Sequence, residues 1–316
     1  MTLSRRPRTL LLTFDAFNTL FHPRIPVVSI YVKAAEEVGL LTRSQIPNES
    51  LLNQYLKHSL WRHNTFYPNY GRGLPDFTSP KVWWESVICD FFAAVMGKAI
   101  VPQDLPEGLT DSLYTTFAGP KGYQLYEDVP PFFEWLKSWK IARSVQLYPA
   151  GNRLNTDFDR VIVGVISNAD NRIMTVLNSL RLRVGIPLED DLERPHPHKQ
   201  PERKADIDFV LTSYEAGCEK PDKAIFDLAV KYANRYIQAS GDNNYIFPGP
   251  ADKCIHVGDD FHDDHLGAVR AGWTGILLLR NGENSPVNVP DTATQISGLN
   301  RLSKHLRLRP LRESTS

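Results

Sequence analysis

No run among the 316 residues approaches the ~20 consecutive apolar positions that a membrane span requires, so no membrane partner is expected. No charge sign dominates either. Thirty-six Lys and Arg balance 36 Asp and Glu, which removes the global field that draws proteins to nucleic acid. Cysteine is scarce: Cys89, Cys218 and Cys254 are too few, and odd in number, for a disulfide framework. They read as structural thiols in a reducing compartment, and a cytoplasmic or nuclear location is expected. Acids are missing before Asp15, whereas Arg5, Arg6 and Arg8 supply base. A transit peptide has that bias, but the first apolar run begins almost at once, and a solvated basic arm is expected instead. Asn48-Glu49-Ser50 fits the glycosylation pattern without a secretory signal to give it meaning. No internal repeat is visible, and oligomeric state is unreadable.

The residues present describe an ordinary globular chain, 42% hydrophobic and 23% charged. Its length exceeds what one hydrophobic core usually serves, so two domains are expected. Five short apolar runs, at 10–14, 161–166, 209–211, 255–257 and 276–279, are continuous rather than alternating, as buried parallel strands are. Helical faces follow several of them: Ile173, Val176, Leu177 and Leu180 form one, and Ile225, Leu228, Ala229 and Tyr232 another. Gly272 reads as the C-cap of a third helix begun near Asp264. Strand, polar motif, helix, strand is the grammar of an open α/β sheet, whose site lies beyond the carboxyl ends of its strands.

Residues 24–124 break that grammar. Val27, Ile30, Tyr31, Ala34 and Val38 recur at helical spacing, as do Trp84, Val87, Ile88, Phe91 and Val95. A helical insertion after the first strand would hang over the site as a lid. The expected division is therefore a discontinuous α/β core at 9–23 and 125–295, a helical cap at 24–124 and a basic tail at 296–316. Residues 144–159 and 189–206 read as surface excursions, and His196 and His198 in the second as solvated histidines.

Polar landmarks stand at the strand ends. Asp15, in F-D-A-F-N-T-L, can attack phosphorus. Taken alone it would be a turn-capping aspartate, and Thr19-Leu20 narrows that reading. Ser167-Asn168 precedes a helix, where hydroxyl and N–H groups bind anionic oxygen, although a plain helix cap looks the same. Lys220, in E-K-P-D, can offset charge developing on a phosphoryl group. Asp259 and Asp264, in G-D-D-F-H-D-D, can join Asp15 in an oxygen-rich pocket suited to Mg²⁺. His262 and His265 lack a further ligand group for a zinc-type site.

This ordered set resembles the haloacid dehalogenase-like (HAD-like) hydrolase superfamily over about residues 9 to 290. The resemblance implies a Rossmann-like parallel core with an inserted helical cap. It implies Asp15 as nucleophile, Lys220 as the lysine that orients it, and Ser167, with Asn168 and Thr19, on the substrate. Asp15, Asp259, Asp264 and the Phe17 carbonyl would hold Mg²⁺, and the substrate would be a small phosphorylated molecule. Residues 66–71 and Trp83-Trp84 look like the group named haloacid dehalogenase-like hydrolase domain-containing protein 3, whose chemistry is largely unassigned.

One residue departs from the pattern. Family phosphatases carry an acid/base aspartate two positions after the nucleophile, and here that position is Phe17. An aromatic there resembles 2-haloacid dehalogenases, which expel halide without a proton and use a cap arginine; Arg62 is a candidate counterpart, although a solvated surface arginine is the expected reading. Those enzymes usually lack the Gly-Asp metal motif present here. Three functions therefore compete. One is a Mg²⁺-dependent phosphohydrolase favouring good leaving groups such as acyl or aryl phosphates. The second is a metal-independent dehalogenase. The third is a catalytically silent protein that binds a phosphorylated ligand or another protein.

Overall fold

The structure is a computed structural model and describes residues 8–144, 158–185, 205–239, 252–280, 289–290, 292–306 and 308. Most of the basic arm, most of both surface excursions with His196 and His198, and the end of the tail lie outside the described residues. Strands run at Thr9–Phe14 (β1), Phe21–Pro23 (β2), Tyr123–Leu125 (β3), Arg160–Ser167 (β4), Phe209–Thr212 (β5), Lys253–Gly258 (β6), Thr274–Leu278 (β7) and Gln295–Ile296 (β8). Helices run at Val27–Glu37 (α1), Glu49–Phe66 (α2), Pro68–Gly71 (α3), Pro80–Met96 (α4), Leu109–Thr116 (α5) and Val129–Ser144 (α6). They continue at Arg172–Ser179 (α7), Ser213–Ala216 (α8), Lys223–Ala239 (α9), Gly267–Arg270 (α10) and Leu302–Leu306 (α11).

Six strands form one parallel sheet in the order β5-β4-β1-β6-β7-β8. This is the expected α/β core. β1 is buried along its whole length, which explains its unbroken apolar sequence. Alternation still governs its faces. Leu10, Leu12 and Phe14 join a core with α6, α7 and α11, while Leu11 faces the opposite core under α9. From β1 the chain builds outward through β4 and β5, then returns to lay β6 on the other side of β1. The strand order reverses beside β1, and crevices for ligands form at such points.

Helices α1, α2, α4 and α5 gather around a separate cluster that includes Val28, Tyr31, Ile88, Phe91, Phe92 and Leu109. The antiparallel ribbon β2–β3, in register Phe21↔Leu125 and Pro23↔Tyr123, closes the base of this inserted segment.

The described part of the segment expected as a basic tail, 296–316, packs on the core. Ile296, Leu299, Leu302, Leu306 and Leu308 are buried in the core against α6 and the sheet. Asp128 accepts from Leu299 N (2.6 Å) and from Arg280 (2.6 Å), and Arg280 also donates to Thr19 O (2.7 Å). The basic composition hid a leucine repeat at 299, 302 and 306 that follows helical spacing. The helix expected near Asp264 begins earlier, as a π-helical turn over Phe261–Leu266, a form common at functional sites. Gly272 ends it at φ +84°, a conformation that suits glycine.

Candidate active site

β1 delivers Asp15 to the sheet edge, where its N–H donates to Val257 O (2.9 Å). The chain then turns tightly. Leu20 N and Phe21 N both donate to Ala16 O, and Asn18 takes φ +57°, which asparagine tolerates better than most residues. This turn stands the Phe17 ring edge-on to Phe21 and Tyr123, with 37% of the residue exposed. The Phe17 carbonyl accepts no hydrogen bond among the described residues.

Lys220 sits at the centre of the site and is buried. Its Nζ donates to Asp15 Oδ1 (2.6 Å), Asp264 Oδ1 (2.6 Å) and Ile166 O (3.0 Å), so all three ammonium protons are used. The buried Ser167 hydroxyl lies against the Asp15 carboxyl. Asp264 Oδ2 accepts from Asp260 N (3.0 Å), and its Oδ1 also meets His256 Nε2 (3.1 Å). His256 Nδ1 in turn meets Thr13 Oγ1 (2.8 Å). A side chain at Gly258 would run into the Asp264 carboxylate, so only glycine allows this approach.

One oxygen each from Asp15, Asp259 and Asp264 lie within 4.8 Å of one another. Three carboxylates against one ammonium leave two negative charges, the complement of a divalent cation. Burial, with the neighbouring Asp15 and Asp264, pushes the Asp259 carboxyl up to about 7. Burial also pushes Asp15 up to about 6, against the pull of Lys220. Burial opposes charge on Asp264 as well, but Lys220 and His256 overcome it and hold that carboxyl below its ordinary value. Burial works against the Lys220 ammonium too, yet Asp15 and Asp264 raise its pKa. A donor set made only of oxygens fits Mg²⁺. His262 pairs instead with Asp263 (2.9 Å), and His265 stacks on Phe261.

Two expected substrate residues are engaged elsewhere. Thr19 is fully buried and donates to Asp259 Oδ1 (3.2 Å), which aims it at the carboxylate cluster. The Asn168 side chain is spent on protein, since Oδ1 accepts from Lys220 N (2.8 Å) while Nδ2 donates to Lys220 O (2.9 Å) and Asp263 Oδ2 (3.2 Å). Arg62 pairs with Asp90 at the cap surface (2.8 Å, 54% side-chain exposure).

A sequence model of the HAD-hydrolase-like family matches residues 217–297, the stretch that holds Lys220, Asp259 and Asp264. An uncharacterized protein of Saccharomyces cerevisiae is 29% identical over 279 residues, 88% of this chain and 74% of its own. Mouse haloacid dehalogenase-like hydrolase domain-containing protein 3 is 27% identical over 278 residues, covering 87% of this chain and 84% of its own. The chain is thus similar to HAD-like hydrolases in its C-terminal third by sequence model and over most of its length to these relatives. Its fold also matches the solved structure of the HAD-hydrolase YfnB of Bacillus subtilis bound to magnesium, at TM-score 0.54, 15% identity and coverage of 96% and 99%.

Sequence reasoning overlooked how the inserted helices meet this HAD-like core. Asn69 Nδ2 donates to Ser213 O (2.8 Å), Tyr70 Oη to Asn168 O (3.1 Å) and Trp84 Nε1 to Asp170 Oδ2 (2.7 Å). Asn69, Tyr70 and Gly71 are successive left-handed residues, at φ 47°, 59° and 70°. Such strain persists only where its surroundings impose it. Arg172 Nη2 binds Asp170 (2.7 Å), and its guanidinium lies 4.2 Å from the Tyr114 ring and 4.9 Å from that of Trp84. The available signals were a polar D-x-R just after S-N, and a lone histidine inside an otherwise apolar strand at 256.

Proposed function

We propose that this chain is a Mg²⁺-dependent hydrolase of a small phosphorylated molecule, acting through an aspartyl-phosphate on Asp15 without the usual second aspartate. The observation that carries the reading is the Lys220 ammonium, bonded at 2.6 Å to both Asp15 and Asp264 while Asp259 lies within reach of an ion shared with them. A buried, fully donated lysine fixes one Asp15 oxygen and leaves the other to attack.

In the first step an Asp15 oxygen bonds to phosphorus, and the bond to the leaving group breaks, taking its electron pair with it. Ser167 and the N-terminal end of α7 receive phosphoryl oxygens. In the second step water attacks the acyl phosphate, freeing inorganic phosphate and restoring the Asp15 carboxylate. Asp15, Asp259, Asp264 and the Phe17 carbonyl would hold Mg²⁺, which would supply positive charge against the phosphoryl oxygens. Residues 24–124 act as the cap, excluding water and contacting the substrate. The three free cysteines favour a reducing, cytoplasmic or nuclear setting.

Phe17 favours a second reading, a silent protein that binds a phosphorylated ligand or another protein. The carboxylate cluster disfavours a metal-independent dehalogenase. A panel of phosphate esters spanning leaving-group pKa, with and without Mg²⁺, separates these readings. Mg²⁺-dependent phosphate release that is lost in Asp15→Asn supports the hydrolase. Failure of every ester supports the silent binder.

A further inference from the structure

The core layer beneath α9 is apolar at Leu11, Phe226, Cys254 and Ala268, yet two polar side chains are set into it. Thr13 on β1 and His256 on β6 are both 0% exposed and are register partners across the two strands. Burying a hydroxyl and an imidazole costs free energy that an apolar pair would not, unless their bonds offset it. Thr13 stands two residues before Asp15, and His256 three residues before Asp259. The pair therefore lies beneath the two strand ends that carry the site.

His256 has a partner on each ring nitrogen. Nε2 meets Asp264 Oδ1 (3.1 Å), and Nδ1 meets Thr13 Oγ1 (2.8 Å). Asp264, paired with Lys220 as a carboxylate, can only accept, so Nε2 carries a proton. The Thr13 hydroxyl has one proton and two acceptors in reach, Nδ1 at 2.8 Å and Ile255 O at 3.4 Å. The shorter bond directs that proton at Nδ1, which fixes the tautomer of the ring. The Phe226 ring stands edge-on to the imidazole at 5.4 Å between centroids. Asp264 Oδ1 is shared by His256 Nε2 and Lys220 Nζ, while Oδ2 receives Asp260 N. The imidazole thus takes up part of the charge on Oδ1 and leaves Lys220 divided between Asp264 and Asp15, each at 2.6 Å.

Resting on the hydrolase reading, we propose that His256 is a positioning residue for the reaction: its Nε2–H pins the Asp264 carboxylate from below, so that Lys220 stays shared with Asp15 and Asp264 stays in the cluster suited to Mg²⁺. Thr13 acts one step further out, by fixing which ring nitrogen carries the proton. Both residues are sealed from solvent, so neither touches substrate. Loss of a partner that orients a metal-binding carboxylate typically costs about 10–100-fold in metal affinity or activity.

The test compares the full chain with His256→Asn and His256→Gln. The Gln amide nitrogen lies as many bonds from Cβ as Nε2 and keeps a donor for Asp264. The Asn amide nitrogen lies at the level of Nδ1, where it meets Thr13 and not Asp264. Mg²⁺ affinity by calorimetry, thermal melting in chelator, and phosphate release at saturating Mg²⁺ are measured on each protein. His256→Asn should lose ~10–100-fold in Mg²⁺ affinity and in kcat, with KM little changed, and His256→Gln should recover most of that loss. Equal losses in the two variants, or losses that follow melting temperature across both, overturn the proposal. The ¹⁵N side-chain spectrum of His256 in the wild-type chain should show Nε2 protonated and Nδ1 bare. The reverse pattern overturns the proposal even where His256→Asn does not fold. The hydrolase reading is scored apart. A loss of Mg²⁺ affinity confined to His256→Asn, with no ester turned over by any of the proteins, keeps His256 as the residue that positions Asp264 and overturns the hydrolase reading. Mg²⁺-dependent phosphate release that is equal in all three proteins does the converse.

Discussion

Asn168 grips Lys220 by both of its backbone polar groups, with Oδ1 accepting from Lys220 N at 2.8 Å and Nδ2 donating to Lys220 O at 2.9 Å. The carbonyl of Asn168 accepts from Tyr70 of the inserted segment. A continuous path of hydrogen bonds thus runs from Tyr70 through Asn168 and Lys220 to Asp15. Asn168→Ala leaves the Lys220 peptide part-buried and unpaired, which costs roughly 1–3 kcal/mol. Urea denaturation should show that loss as a lower midpoint, and phosphate release should fall more steeply than Mg²⁺ affinity. An unchanged midpoint with unchanged release would remove Asn168 from the positioning of Lys220.

Phe17→Asp should raise turnover of alkyl phosphates more than of aryl phosphates, because alkoxides need a proton to leave and phenolates need little. The ceiling is ~10²–10⁴-fold, the range of a well-placed general acid. A leaving-group series on both proteins at saturating Mg²⁺ is the measurement. Equal gains for both classes in a folded variant would sink the role assigned to this position.

Mg²⁺ affinity should weaken as pH falls through 7 and then 6, because Asp259 and Asp15 hold protons that the ion must displace. Without metal, the sign for stability is set by the same groups. Their folded values are raised, so between about 4 and 7 the native state binds more protons than the unfolded chain, and stability declines as pH rises. Asp264, held low by Lys220, acts in the opposite sense and only at more acid pH. Thermal melts in chelator from pH 4 to 8 should therefore show Asp15 and Asp259 lowering the melting temperature toward neutrality, and Mg²⁺ should restore it. Asp259→Asn should flatten that slope and sharply weaken Mg²⁺ binding. Wild-type affinity in this variant, by calorimetry, removes the metal assignment.

Gly258→Ala places a methyl group against the Asp264 carboxylate, which cannot withdraw without releasing Lys220 or His256. We expect a loss of roughly 1–3 kcal/mol, typical of overpacking, together with weaker Mg²⁺ binding. Denaturation midpoints and calorimetry on the same preparation test both parts. A variant as stable as wild type would show that the π-helical turn at Phe261–Leu266 yields without cost.

The unbroken apolar runs at 10–14, 161–166 and 255–257 were legible as parallel strands because burial on both faces removes any need for polar alternation. Residues 295–308 were less legible. Their charge resembles a solvated tail, and only the leucines reveal a face that packs on α6. Thr19 and Asn168 were recognisable as members of the site but not by their partners, which are Asp259, 240 residues away, and Lys220, 52 residues away.

The sequence by itself determined the kind of sheet, the inserted helical segment, the placement of Asp15, Ser167 and Asp259 at or just beyond strand ends, and the phenylalanine at position 17. Those are local matters of periodicity and residue chemistry, readable within a few positions. Only the tertiary structure decided that one ammonium serves both Asp15 and Asp264, that Asn168 is spent on Lys220, and that the Phe17 ring packs edge-on against Phe21 and Tyr123. Each of those depends on which strand ends become neighbours and on how the inserted helices dock. These long-range pairings arise from burial of the whole sheet and leave no local trace in the chain.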